Sequence, residues 1–177
     1  MKIILLGSQG SGKSTQAKML AAKLGVPYIE MGQLLRDKVK EQNVQAADIK
    51  QALESGVLVP DKITIKLLTE QVSKPKYQSG FVLDGYPRNY AQLEGLPKGI
   101  DKVFAIRVSD QEAVERLIGR GRNDDSLDLI TKRLEIFHQD TEPLLAYFKQ
   151  AGILEEVDGE RQIEEIANDI MQRTEKS

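Results

Sequence analysis

The 177-residue chain is 40% hydrophobic and 29% charged, with a formal net charge of −2, which fits one soluble globular domain and excludes a global basic field for nucleic acid. No apolar run approaches the roughly 18 residues that span a bilayer, and the short apolar stretch before Gly7 does not read as a signal peptide. There is no cysteine, which excludes disulfides, thiolate metal sites and a cysteine nucleophile and suits a cytoplasmic protein.

Taken in chain order, short apolar segments alternate with longer helical ones. Lys2–Leu6 reads as a buried parallel strand that stops at Gly7. Lys13–Leu24 is predicted as a helix with Ala17, Leu20, Ala21 and Leu24 on one face and Gly25 as its stop. A brief strand is expected over 27–29, then helices over 32–41, 46–54 and 60–73, the last with Pro60 in its first turn. Gly80–Gly85 contains a third strand that ends in a carboxylate and a glycine, and 89–96 a short helix. Lys102–Val108 is a fourth strand, and Asp110–Arg120 a helix capped by Ser109 or Asp110. After the polar stretch 121–126, a long helix bent near Pro143 is predicted over about 127–150. A fifth strand over 153–157, a last helix over 162–173 and a frayed tail over 174–177 complete the chain. This alternation predicts an α/β fold, a five-stranded parallel sheet with helices on both faces. The helical block 31–59 and the stretch 121–126 are not needed for such a core.

Gly7-Ser8-Gln9-Gly10-Ser11-Gly12-Lys13-Ser14 matches G-x-x-x-x-G-K-[ST] between a predicted strand and a predicted helix. Glycines let successive backbone N–H groups turn inward, and the helix start adds its positive dipole end. Lys13 supplies a point charge for the β- and γ-phosphates, and the hydroxyl of Ser14 or Thr15 can sit near magnesium. A glycine-rich turn without a ligand is the competing reading, and the strand–helix context weighs against it. Asp84 ends an apolar strand, where a carboxylate can hold magnesium or its waters; alone it could equally be a turn aspartate.

Phosphate loops serve switches, motors and transferases. The chain has no N-K-x-D stretch for reading guanine, which argues against a GTPase switch. Arg116, Arg120, Arg122 and Arg133 fall within one 18-residue window, more positive charge than one triphosphate requires. Taken singly, each is a solvated helix-face residue; behind a phosphate loop the set points to a second anionic ligand. His138 reads as structural, and Tyr86, Tyr90 and Tyr147 as packing residues.

These residues resemble the adenylate kinases and, more broadly, the nucleoside monophosphate kinases. The resemblance covers almost the whole chain through GSQGSGKSTQA at its start, MGQLLRD at 31–37, LESGVLVPD at 53–61, GFVLDGYPRNYAQLEGL at 80–96, ERLIGRGR at 115–122, ITKRLEIFHQDTEPLLAYF at 130–148 and VDGE at 157–160. It implies a single nucleoside monophosphate kinase domain over 1–177 with a phosphate-loop NTPase-like core, an acceptor-binding arm near 31–59 and a very short lid near 121–126. The implied reaction is transfer from magnesium-bound ATP to AMP, giving two ADP. By resemblance, Gly10, Ser11, Gly12, Lys13, Ser14, Thr15 and Arg116 bind ATP. Met31, Arg36, Val57, Leu58, Val59, Gly85, Arg88 and Gln92 bind AMP, with Arg36 on its phosphate and Gln92 on its adenine edge. Lys13, Arg88, Arg120, Arg122 and Arg133 surround the transferring phosphoryl group, and Ser14 and Asp84 hold Mg2+, partly through water. ATP and AMP or ADP are the expected partners of a cytoplasmic monomer, with no nucleic acid and no membrane.

The chain departs from the family pattern at four places. Gln9 stands where proline is usual, and Ser14-Thr15 where glycine and threonine follow the lysine. Met31 replaces a threonine near the acceptor base and Gln33 an aspartate near the metal's water shell. A single residue separates Arg120 from Arg122, so closure of the lid is expected to be incomplete. Met31 keeps another acceptor, CMP, UMP or a deoxynucleotide, open as the alternative; a slow ATP-hydrolysing regulator is the reading from a different class.

Overall fold

Five strands, β1 (Lys2–Leu6), β2 (Tyr28–Glu30), β3 (Phe81–Asp84), β4 (Lys102–Arg107) and β5 (Leu154–Asp158), form one parallel sheet in the order β2-β3-β1-β4-β5. The computed structural model describes residues 1–41, 43–121 and 126–176. β1 is central because both of its faces are apolar, and alternation of side chains sorts them. Ile3 and Leu5 pack against α1 (Lys13–Leu24) and α8 (Ile163–Glu175) through Ala17, Leu20, Ile166 and Ile170. Ile4 and Leu6 face the other layer, which contains α2 (Met31–Val39), α3 (Val44–Glu54), α4 (Asp61–Val72) and α7 (Leu144–Gln150). Ile3, Ile4 and Leu5 are fully buried, and each such side chain contributes about 1.5–3 kcal/mol relative to leaving it in water.

A smaller cluster, Ala113, Leu117, Ile130 and Leu134, joins α5 (Asp110–Arg120) to α6 (Leu127–Ile136). This packing fixes the helices that carry Arg116, Arg120 and Arg133. Register then fixes the carboxylates: Glu30 and Asp84 end adjacent strands and are Cα partners, so both stand at the carboxyl edge of the sheet, where ligands bind in this class of fold.

The expected strands and helices are all present, with three differences. The helix expected over 127–150 gives way to a π-helical turn over Phe137–Thr141 before α7 begins. Pro143 has no N–H, and its ring collides with the carbonyl four residues back. The preceding turn widens in response, and Glu142 N–H bonds to the Phe137 carbonyl at 2.8 Å. The segment 89–96 is a 3-10 helix, Tyr90–Gly95, started by Asn89, whose side chain accepts from Gln92 N–H. The tail is not frayed from Thr174: α8 runs to Glu175, and Thr174 is buried with its hydroxyl bonded to the Ile170 carbonyl at 2.8 Å. Among the described residues, no helix is long and apolar enough to cross a membrane.

Candidate active site

The loop after β1 winds so tightly that only glycine serves at two of its turns. Gly10 has φ +83°, and a Cβ there would lie 2.5 Å from the Ala113 carbonyl oxygen. Gly12, at φ 84°, precedes α1 in the left-handed region, without a side-chain cap and with no acidic residue in the first turn of the helix. The starts of α3, α5 and α6 are instead capped by Asn43, Ser109 and Ser126. The first N–H groups of α1 therefore point toward the loop with their positive dipole end uncompensated by a side chain, an arrangement suited to phosphate.

Lys13 projects from that helix start, with Nζ 3.0 Å from the Ser8 carbonyl. Burial, reinforced by Arg88 and Arg120, pulls its pKa down, against the opposing pull of Asp84 and Glu30. Ser14 Oγ donates to Asp84 Oδ2 at 2.5 Å, and the Tyr28 hydroxyl donates to the same oxygen at 3.1 Å. Asp84 is 2% exposed, and its other oxygen, Oδ1, is buried with no hydrogen-bond partner among the described residues. A buried carboxylate oxygen without a donor is costly. Beside a phosphate loop, the carboxylate and the Ser14 hydroxyl are a hard-oxygen donor set that fits Mg2+, an ion that commonly takes one or two carboxylates and keeps several waters.

The other end of the cleft is built on the turn after β3. Arg88 Nε donates to the Gly85 carbonyl at 3.1 Å. Burial lowers the Arg88 pKa, Asp84 opposes that shift, and Arg133 adds to it; a guanidinium remains charged throughout. The π-helical turn braces this segment, since Thr141 Oγ1 donates to the Arg88 carbonyl at 2.7 Å. Gln92 is 1% exposed and held at both ends of its amide: Oε1 accepts from Arg88 N–H at 2.8 Å, and Nε2 donates to Asp61 Oδ1 at 2.8 Å. Asn89 Nδ2 donates to the same Asp61 oxygen at 2.9 Å.

One cleft brings together Lys13, Ser14, Met31, Arg36, Val57, Leu58, Val59, Asp84, Gly85, Arg88, Gln92, Arg120 and Arg133. Gly10, Ser11, Gly12 and Thr15 stand beside it in the loop and first turn of α1 rather than lining it. Arg116 also lies outside, its guanidinium bonded to Glu112 at 2.7 Å and to the Gly159 carbonyl at 3.0 Å, close to Gly12. Arg122 and most of the expected lid lie outside the described residues.

Sequence reasoning missed three contributors. Glu30 lines the cleft. Tyr28, two residues earlier and so on the same side of β2, orients Asp84. Gln9, noted only as a departure from proline, accepts from Arg133 Nη1 at 3.3 Å and links the phosphate loop to α6. A carboxylate at the end of a short strand, with an aromatic hydroxyl at i−2, was the available signal for the first two. Gln33 is exposed, and its amide is engaged by Asp37 and Arg36.

A parallel α/β sheet, a phosphate loop after its central strand and a buried carboxylate on the next strand define a phosphate-loop NTPase-like protein. The chain is similar to the family model described as Adenylate kinase over residues 5–153. It is also 38% identical over 173 residues to an adenylate kinase of Nocardia farcinica, covering 94% of each chain. It is 40% identical over 156 residues to one of Mycobacterium tuberculosis, covering 84% of this chain and 86% of the other. To one of Caldicellulosiruptor saccharolyticus it is 32% identical over 209 residues, covering 97% of each. The chain belongs to the adenylate kinase family.

Proposed function

We propose that this protein transfers the terminal phosphoryl group of ATP reversibly to AMP, giving two ADP. The observation that carries this reading is the cleft itself, in which four cationic side chains from separate segments, Lys13, Arg88, Arg120 and Arg133, line one space together with the fixed amide of Gln92. A one-nucleotide switch has no use for Arg36 and Gln92 at the far end of that space.

The division of labour follows from charge and position. The α1 start and Lys13 receive the donor's phosphates, and Arg36 the acceptor's. Arg88, Arg120 and Arg133 act on the group in transit, whose transition state spreads charge over three oxygens. Guanidinium forks suit this because they bond two oxygens at once. We assign Arg122 to the same set by resemblance and Arg116 to the donor's base. Residues 31–59 serve as the acceptor arm, and 121–126 as the lid that excludes water. Ser14 and Asp84 would hold Mg2+, which when bound neutralises charge on the phosphate oxygens.

Gln92 supports adenine over guanine and uracil. With Asp61 accepting and Arg88 N–H donating, its amide cannot turn over without breaking both bonds. These bonds leave it one donor and one acceptor position. That pattern complements an amino group beside a ring acceptor, as in adenine, and mismatches the keto bases; cytosine shares the pattern but is smaller. Met31, Val57, Leu58 and Val59 then define the room for the ring. We read the protein as a cytoplasmic monomer with no nucleic-acid or membrane partner, in keeping with its small net charge.

The test is ADP formation from ATP and magnesium with AMP, CMP, UMP, GMP and their deoxy forms offered singly. AMP is expected to be the best acceptor and GMP and UMP the worst. ADP formation no faster with AMP than with ATP alone would end the proposal, and CMP or UMP outpacing AMP several-fold would end the reading of Gln92.

A further inference from the structure

Glu30 is the cleft carboxylate that the mechanism above does not use. Its Oε1 accepts from Arg36 Nη2 at 2.7 Å, while Gln33 Oε1 accepts from Arg36 Nε at 3.2 Å and Nη2 at 3.0 Å. The Nε–Nη2 edge, the two-donor fork that suits an oxyanion, is thus taken by groups of the protein itself. The second oxygen of Glu30 lies 3.8 Å from Lys18 Nζ, and 3.3 Å from the Tyr28 hydroxyl, whose single proton it shares with Asp84. Glu30 can therefore release Arg36 without becoming an unpaired charge.

We propose that Glu30 is a built-in competitor for the acceptor phosphate, holding Arg36 Nη2 beside the Gln33 amide oxygen so that a monophosphate taking that donor must exchange one anion for another. The inference rests on the assignment of Arg36 to the acceptor phosphate. It gives Glu30 a defined role as a positioning residue acting through Arg36: it lowers affinity for every phosphate at this seat and leaves the base contacts untouched. The pair is partly exposed, with side-chain exposures of 43% for Arg36 and 22% for Glu30, so the effect is moderate.

The test is calorimetric titration of the full chain and of Glu30→Gln, Glu30→Ala and Arg36→Ala with AMP, inorganic phosphate and adenosine. In both Glu30 variants the Kd for AMP is expected to fall about two- to fivefold, the range a partly exposed ion pair supports. Phosphate is expected to tighten by the same factor and adenosine to be unchanged. A purely structural role would move adenosine together with AMP, and that result overturns the proposal, as does unchanged or weaker AMP binding in the Glu30 variants alongside weaker binding in Arg36→Ala. Unaltered AMP binding in Arg36→Ala removes the assignment of Arg36 and the inference with it.

Discussion

Ser14 and Asp84 are joined by a 2.5 Å hydrogen bond that ties the start of the phosphate-loop helix to the end of the neighbouring strand. The bond uses one carboxylate oxygen and leaves Oδ1 buried without a donor. Asp84→Asn would keep the shape and remove the charge. Turnover is expected to fall about 10- to 100-fold, with a matching rise in the magnesium needed for half-maximal rate. Titration of activity against magnesium for both proteins checks this, and an unchanged metal requirement would remove Asp84 from the metal site. Chelation of the wild-type protein is expected to abolish ADP formation while leaving the fold intact by circular dichroism.

Among the described residues no carboxylate forms a salt bridge with Arg88, and its Nε is satisfied by a backbone carbonyl. Arg88→Ala therefore takes little from the fold, because the segment stays braced through its main chain by Thr141. Turnover is expected to drop roughly 10³-fold or more, as for an arginine aimed at a phosphoryl-transfer transition state. Steady-state kinetics with a thermal melt separates the two effects; near-normal kcat in a folded variant would show that Arg88 takes no part in transfer.

Gln92→Ala would leave Arg88 N–H without its partner and Asp61 Oδ1 with Asn89 Nδ2 alone. Leaving buried polar groups unsatisfied costs about 1–3 kcal/mol, so the melting temperature is expected to fall. KM for AMP is expected to rise about tenfold, the order expected for losing its bonds to the base, with KM for ATP nearly unchanged. Equal rises for both substrates would place Gln92 in general support of the cleft instead.

His138 lies between Glu142, 2.7 Å from Nδ1, and Asp110, 3.0 Å from Nε2. The hydrogen bond to Glu142 first and that to Asp110 second raise its pKa, and burial opposes them slightly. A raised folded-state pKa means that this contribution to stability is full below the ordinary histidine value and is lost as pH rises through the folded value. His138→Gln is therefore expected to melt below wild type at pH about 6 and to converge with it at pH about 9. A gap that widened toward alkaline pH would contradict the arrangement.

Much of this architecture was legible in the sequence because it depends on local pattern. The run Ile3–Leu6, the glycines that follow and Lys13 announce a strand, a turn and a helix start within a dozen residues. Asp84 was legible because it ends an apolar strand in a chain that already carries a phosphate loop. The irregularity at Phe137 was not: Pro143 marks where a helix is disturbed, but the disturbance falls in the turn before it, and its depth depends on what that turn packs against. Glu30 and Tyr28 escaped notice because their roles arise from strand pairing with residues more than fifty positions away. The locked amide of Gln92 likewise depends on Asp61, which the fold brings alongside.

On α6, Lys132 donates to the Ser55 carbonyl at 2.8 Å, and Arg133 reaches the Leu53 carbonyl and Gln9, both at 3.3 Å. One helix therefore touches the end of the helical block 31–59 and the phosphate loop at once. Were this helix to couple the two nucleotides, whatever factor the first added to the affinity of the second, the second would return to the first.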